Sequence, residues 1–326
     1  MPTTSRDKEI EPMATYGLQL PDFSWIVDAN PPTTMDRLSA VAEAAEASGY
    51  SSMWVMDHLM QLPPLGGPAA SILEGYVTLG ALAAVTKRVE LGTLVTGVTY
   101  RNPALLAKQI ASLDALSGGR AILGIGAAWY DTEHIAYGWD FPAVKERFAR
   151  LDEAVAICRG MFDNETFSYD GTYYRVADAR VVPRPQRRIP IMIGGSGERK
   201  TLRMVAELAD LCNVGGTAAI VGKKLAILDE HCAAVRRNPA DIKRTSMVSL
   251  FVSPNEAERD SLRQMVGYDS GGDARDRMIV AMVDEATDDI AAIVACGVDE
   301  VIVNLPFIRS VDAVHTAAEV LRAATS

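Results

Sequence analysis

Short apolar runs alternate with amphipathic stretches along almost the whole chain, and the strand-then-helix order recurs eight times. The strands are expected at 16–20, 52–56, 89–95, 120–125, 189–193, 210–214, 245–252 and 300–304. Their near-continuous apolar character fits parallel strands covered on both faces rather than half-exposed antiparallel ones. The first long helix opens on Thr33 and Asp36, spaced as a capping box, and Met35, Leu38, Val41, Ala42 and Ala45 recur at helical intervals until Gly49. Further helices are read at 71–86, from Pro103 to the Gly118-Gly119 pair, and at 145–162, 197–208, 218–236, 287–296 and 311–323. Pro103 suits a first helical turn. Eight such units define a (β/α)8 barrel, commonly of about 250 residues; an open doubly wound sheet is the alternative, and the strand count favours the barrel. The 326 residues leave room for insertions. One follows strand four, and a hairpin is signalled at 166–176 around Asp170-Gly171. The other, after strand seven, is a mixed stretch at 254–283 read as helical. Residues 1–14 mix charges with prolines and read as a solvated tail, leaving 15–326 as one barrel domain.

The charge balance narrows the functions. With 32 Lys+Arg against 42 Asp+Glu the net charge is −10, the wrong sign for broad phosphate-backbone binding, so no nucleic-acid partner is expected. No apolar run reaches membrane-spanning length, and no leader is evident. Cys158, Cys212, Cys232 and Cys296 are widely spaced with no C-x-x-C pair. They read as reduced, mostly buried thiols of a cytoplasmic protein.

In a barrel of this kind chemistry collects at the C-terminal ends of the strands. That rule selects Gln19, Asp57-His58, residues 95–99, 126–133 and 194–197, Asn213 and Asn304. Gly124-Ile125-Gly126 is not a dinucleotide fingerprint, because Trp129 holds the third glycine position. There is no Walker A sequence, no H-E-x-x-H and no G-x-S-x-G elbow. The four histidines are scattered, so no metal site is expected, although Asp57, His58 and His134 could converge. Asp57-His58 follows an apolar strand, where an imidazole can exchange a proton near neutral pH or simply cap the strand end. Gly194-Gly195-Ser196-Gly197 opens a helix and lets backbone N–H groups approach an anion; it equally suits a tight turn. Residues 127–134 mix Trp129 and Tyr130 with acids, as in a stacking wall for a planar ligand or a packed loop. Arg147, Arg150, Asp152 and Glu153 are expected on a solvated helix face.

Taken in order, Ser52-Met53-Trp54-Val55-Met56-Asp57-His58, Val89-Glu90-Leu91-Gly92-Thr93, Arg101-Asn102-Pro103, Gly118-Gly119-Arg120, Gly124-Ile125-Gly126, Trp129-Tyr130, Tyr137-Gly138 and the stretch from Ile193 to Arg199 resemble the luciferase-like monooxygenase superfamily. The resemblance is greatest to its actinobacterial members that use the deazaflavin coenzyme F420. It runs from Gly17 to the end of the chain. It implies a (β/α)8 barrel, often a homodimer, with an insertion after strand seven and a flavin or deazaflavin in the barrel mouth. It implies His58 as the ring-side proton-transfer residue with Asp57 beside it, and a bulge with a non-proline cis peptide at Leu94-Val95 behind the ring. Gly126, Ala127, Trp129 and Thr132 would flank the cofactor, and Gly194, Gly195, Ser196 and Gly197 would hold its phosphate. The sugar-phosphate dehydrogenases of the family carry a catalytic glutamate where this chain has Trp129, an exchange that favours a larger or less polar small-molecule substrate. Glu133 and His134 lie one turn on, with their part in proton transfer open. The activity implied is hydride transfer between deazaflavin C5 and an activated alkene, imine or carbonyl. An FMN-dependent monooxygenase using O2 and a non-catalytic flavin-binding protein are the alternatives.

Overall fold

The structure, a computed structural model, describes residues 14–28, 33–270 and 272–326. The tail expected over 1–14 lies, apart from Ala14, outside them. In chain order the strands are β1 (Thr15–Leu20), β2 (Ser52–Val55), β3 (Glu90–Thr93), β4 (Thr96–Gly97), β5 (Ala121–Gly126), β6 (Phe167–Asp170), β7 (Arg175–Ala179), β8 (Ile191–Gly194), β9 (Leu211–Gly215), β10 (Lys243–Ser253), β11 (Met278–Met282) and β12 (Glu300–Asn304). The helices are α1 (Ser24–Asp28), α2 (Thr34–Ala47), α3 (Gly75–Val85), α4 (Pro103–Ser117), α5 (Asp131–Tyr137), α6 (Val144–Asp163), α7 (Thr201–Leu208), α8 (Ala218–Val235), α9 (Glu256–Met265), α10 (Asp273–Arg277), α11 (Val283–Val294) and α12 (Asp312–Ala324).

Parallel pairing runs β1-β2-β3-β5-β8-β9-β10-β12 and returns to β1, closing an eight-stranded barrel. β4 prolongs the third strand beyond a bulge at Leu94-Val95, where the peptide bond is cis. Two insertions depart from the simple repeat. Residues 127–143 follow the fourth barrel strand and contain α5, and residues 254–282 follow the seventh. The second insertion is not wholly helical, because it ends in β11, which pairs in parallel with the upper part of β10. Met278-Ile279-Val280-Ala281-Met282 is too short and too uniformly apolar for periodicity to separate strand from helix.

Local sequence explains most element ends. Thr33 and Asp36 form the expected capping box on α2. Asn102 caps α4, Pro103 fills its first turn and Gly118 closes it in the left-handed region. α3 starts four residues later than expected, at Gly75, because the Glu74 carboxylate caps it by accepting from Val77 N–H at 2.8 Å. α7 likewise begins at Thr201 rather than 197.

The core has two parts. The outer faces of the strands pack under the helices in one large cluster. A separate cluster of Trp54, Ile122, Met192, Leu211 and Ile302 fills the barrel, with Leu94, Val95 and Met247 resting on it. At the strand starts Trp54 Nε1 donates to Ser52 Oγ (2.6 Å), and Ser52 Oγ donates to Glu300 Oε1 (2.5 Å). Lys243 pairs with this buried glutamate at 2.7 Å. These bonds brace one side of the strand starts, where a hollow lined by Glu90, Ile122, Leu211 and Lys243 remains; the residues chosen by the strand-end rule lie at the opposite end of the barrel. The face of α6 is more than a solvated surface. The Glu153 carboxylate accepts the N–H groups of Thr172, Tyr173 and Tyr174 at 2.8–3.0 Å and so holds the β6–β7 turn. Arg147 donates to the Ala128 carbonyl and stacks over Phe141, 4.0 Å from its centroid.

Candidate active site

His58 leaves the end of β2 with its side chain 14% exposed. Its Nδ1 lies 2.8 Å from Glu133 Oε2. Trp129 and Tyr130 present their rings edge-on to it, with centroids at 5.6 and 5.9 Å. Glu133 is fully buried, on the inward face of α5. Its Oε1 accepts the N–H groups of Leu59 (2.6 Å) and Met60 (2.8 Å), and its Oε2 accepts Tyr100 O–H at 2.5 Å. Burial alone would raise this carboxyl, but hydrogen bonds from His58 and Tyr100, with attraction to His58, hold it below the usual glutamate range.

Asp57 does not emerge with His58. It is buried, and both its oxygens face Arg101, which also binds Glu74. The guanidinium stacks on Tyr76, 4.4 Å from the ring centroid. This pairing ties the loop after β2 to the start of α3 and to the loop after β4. Burial nonetheless pushes the Asp57 carboxyl up to about 6, against the pull of Arg101. His134 is also enclosed. A carbonyl only accepts, so Nδ1 donates to Tyr130 O (2.9 Å), and Nε2 is left to accept from Thr99 Oγ1 (2.7 Å). With both nitrogens occupied it braces the loop. Among the described residues no cluster of His, Cys, Asp and Glu could hold a metal ion.

One side of the mouth is built from backbone. A Cβ on Gly126 would come within 2.9 Å of Val95, and one on Gly194 within 2.7 Å. Val95 can sit over the barrel interior only because these positions are bare. Gly195, Ser196 and Gly197 are exposed, and Gly195 has φ +122°. Lys224 donates to Ser196 O at 3.1 Å, and burial lowers its pKa against the opposing pull of Glu198. The opposite side is polar. Leu94 O accepts from Gln19 Nε2 (3.0 Å), and Gln19 Oε1 accepts from Asn304 Nδ2 (3.4 Å). That fixed direction leaves Asn304 Oδ1 buried without a partner among the described residues. Asn213, the other strand-end amide, instead donates to Thr245.

Trp129 is 63% exposed and Tyr137 is 48% exposed, so neither fills the core. Ala127 is half-buried, while Thr132 is exposed on the first turn of α5. The structure therefore brings His58, Trp129, Gly126, Ala127, Leu94, Val95 and Gly194 to Gly197 to one end of the barrel. Asp57 is set beneath, and Glu133, Tyr100, Arg101 and Glu74 join as partners that the strand-end rule did not single out as a set. A planar heterocycle with an anionic tail suits a bare backbone wall, an exposed glycine turn, an aromatic edge and an orphaned amide acceptor.

A closed eight-stranded parallel barrel wrapped in helices defines a TIM-barrel protein. The chain belongs to the luciferase-like monooxygenase family, whose model matches residues 19–292. Among its relatives, the F420-dependent glucose-6-phosphate dehydrogenase of Kineococcus radiotolerans is 36% identical over 226 residues, 68% of this chain and 66% of that protein. The enzyme of the same name from Amycolatopsis mediterranei is 33% identical over 217 residues, 64% of this chain and 63% of that protein. These matches thus span a little under two thirds of the length of the relatives. In fold the chain is similar to an F420-dependent secondary alcohol dehydrogenase solved with an F420-acetone adduct. The TM-score is 0.80 at 19% identity, covering 96% of this chain and all of the other.

Proposed function

We propose that this protein is an F420-dependent oxidoreductase that transfers a hydride between the deazaflavin and an organic small molecule, an activated alkene, imine or carbonyl. The observation that carries the reading is the mouth itself. His58 stands beside Trp129 at the strand C-terminal end of a barrel that also carries the Leu94-Val95 bulge and an exposed glycine turn. Relatives named as F420-dependent dehydrogenases support the cofactor.

When bound, F420 supplies a hydride donor or acceptor at ring C5. Gly194, Gly195, Ser196 and Gly197 would hold its phosphate, and Gly126, Ala127 and Thr132 would flank it. Asp57 supports the site from beneath through Arg101. His58 carries the proton that balances the hydride, giving it up as a C=C, C=N or C=O bond is reduced and taking it back in the reverse direction. Trp129 lines the substrate side, and it provides no carboxylate for a sugar hydroxyl. The substrate is accordingly less polar than a sugar phosphate. The protein works in the cytoplasm as a homodimer, its second copy covering the apolar outer face of α3.

The test is titration of the purified protein with F420 and with FMN, followed by anaerobic oxidation of reduced F420 with a panel of enones, imines, ketones and glucose 6-phosphate. Saturable F420 binding and turnover of an apolar acceptor are expected, with none for the sugar phosphate. FMN binding with oxygen-dependent product formation would replace this reading with a monooxygenase. Binding without turnover across the panel would leave a carrier.

A further inference from the structure

The reading above requires that His58 present a definite nitrogen to the mouth, and its partner decides which one. Glu133 lies 75 positions further on and meets His58 only in the folded chain. Its four acceptor interactions are divided in a way that leaves no choice. Oε1 is occupied by two consecutive backbone N–H groups, those of Leu59 and Met60, which directly follow the histidine. Oε2 receives Tyr100 O–H and faces His58 Nδ1. An ionised carboxylate accepts and cannot donate, so the contact exists only if Nδ1 carries the hydrogen. The neutral ring must then bear its lone pair on Nε2. Among the described residues no hydrogen bond reaches that nitrogen.

We propose that Glu133 is a positioning residue: it fixes the tautomer and orientation of His58 so that Nε2 is the proton-exchanging atom. This rests on His58 being the proton carrier, and it adds the element that makes the imidazole directional. The surroundings are consistent from each side. Tyr100, from the loop after β4, keeps Oε2 partly neutralised. Arg101 is engaged by Asp57 and Glu74 and does not reach Glu133. Trp129 and Tyr130 pack edge-on against the imidazole and hold its plane. The same carboxylate pins the backbone after His58, so ring and main chain are set by one group. An imidazole in the other tautomer would turn an N–H toward the mouth in its neutral form and could not accept a proton there.

The test reads the ring directly. Protein labelled with 15N-histidine, in mildly alkaline buffer, is examined by long-range 1H–15N correlation, with His58 assigned from the His58→Ala spectrum. Wild type is expected to show the Nδ1–H tautomer. In Glu133→Gln the amide can turn its N–H2 toward Nδ1, and the ring is expected to switch to Nε2–H. Oxidation of cyclohexanol by F420 in a single turnover, in which Nε2 must accept the hydroxyl proton as the hydride leaves carbon, should then slow by about 10²–10⁴-fold, the span of general acid–base catalysis, with F420 affinity unchanged. An Nε2–H ring in wild type, or an Nδ1–H ring that persists in Glu133→Gln, would overturn the proposal. The wild-type spectrum decides even where the variant fails to fold. A switched tautomer with unimpaired turnover in both Glu133→Gln and His58→Ala would instead overturn the proton role of His58.

Discussion

His58 and Asp57 are adjacent in sequence yet face different surroundings, and their substitutions should separate chemistry from stability. His58→Ala removes the imidazole but leaves the glycine turn intact. Cofactor affinity should therefore hold while single-turnover oxidation of reduced F420 slows by about 10²–10⁴-fold. Rapid-mixing absorbance beside a binding titration checks this, and a wild-type rate at every pH would sink the role. Asp57 predicts a pH effect on folding. Its carboxyl is raised from 3.8 to about 6 in the fold, so between those values the folded chain binds a proton that the unfolded chain releases. Its contribution to stability is then greatest below the unfolded value and declines as pH rises through about 6. In Asp57→Asn that decline should vanish. Denaturant unfolding of both proteins at a series of pH values gives the difference curve, and parallel curves would refute the assignment.

The turn between β8 and α7 is the element proposed to hold the cofactor's anion. Gly195 sits at φ +122°, and a Cβ there would lie 3.3 Å from Thr201 Cγ2. Gly195→Val would strain the turn and block close approach to its N–H groups. Charge-assisted hydrogen bonds are worth about 1.5–3 kcal/mol each. Losing one should weaken F420 binding by about tenfold or more, read by fluorescence titration alongside a melting curve; undiminished affinity in a folded variant would remove the turn from the site. Elements of this kind were legible from sequence wherever the determinant is local. The Thr33–Asp36 box, the Asn102-Pro103 start and the runs that close the barrel all depend on neighbours a few residues apart. What escaped is set across distance. Glu133 binds His58 and Arg101 binds Asp57 over 75 and 44 positions, and nothing in either segment announces its partner. Its acidic character amid aromatics, one turn beyond Trp129, was the single signal for Glu133. The shift of α3 to Gly75 has the same origin, since the Glu74 cap also answers to Arg101.

At the scale of the whole molecule, α3 is the anomaly. Its eleven residues, from Gly75 to Val85, carry no charge, yet Val77 is 74% exposed and Ala84 is also exposed. Val77, Gly80, Ala81 and Ala84 share one face by helical spacing. A second copy seated there predicts a dimer in light-scattering chromatography. Val77→Glu combined with Ala81→Glu should yield a folded monomer, and a dimer that survives both charges would place the interface elsewhere. The mouth of the barrel carries a different consequence. On Gly124 a Cβ would lie 1.9 Å from Thr93 O, and those on Gly126 and Gly194 would strike Val95. Such sites form a socket that drift cannot remodel, because every available change is an enlargement. Trp129, in the loop that follows β5, has no such restriction, being largely in solvent. Innovation in a lineage built on this scaffold is therefore channelled: the socket is inherited, and new substrates are acquired one loop at a time.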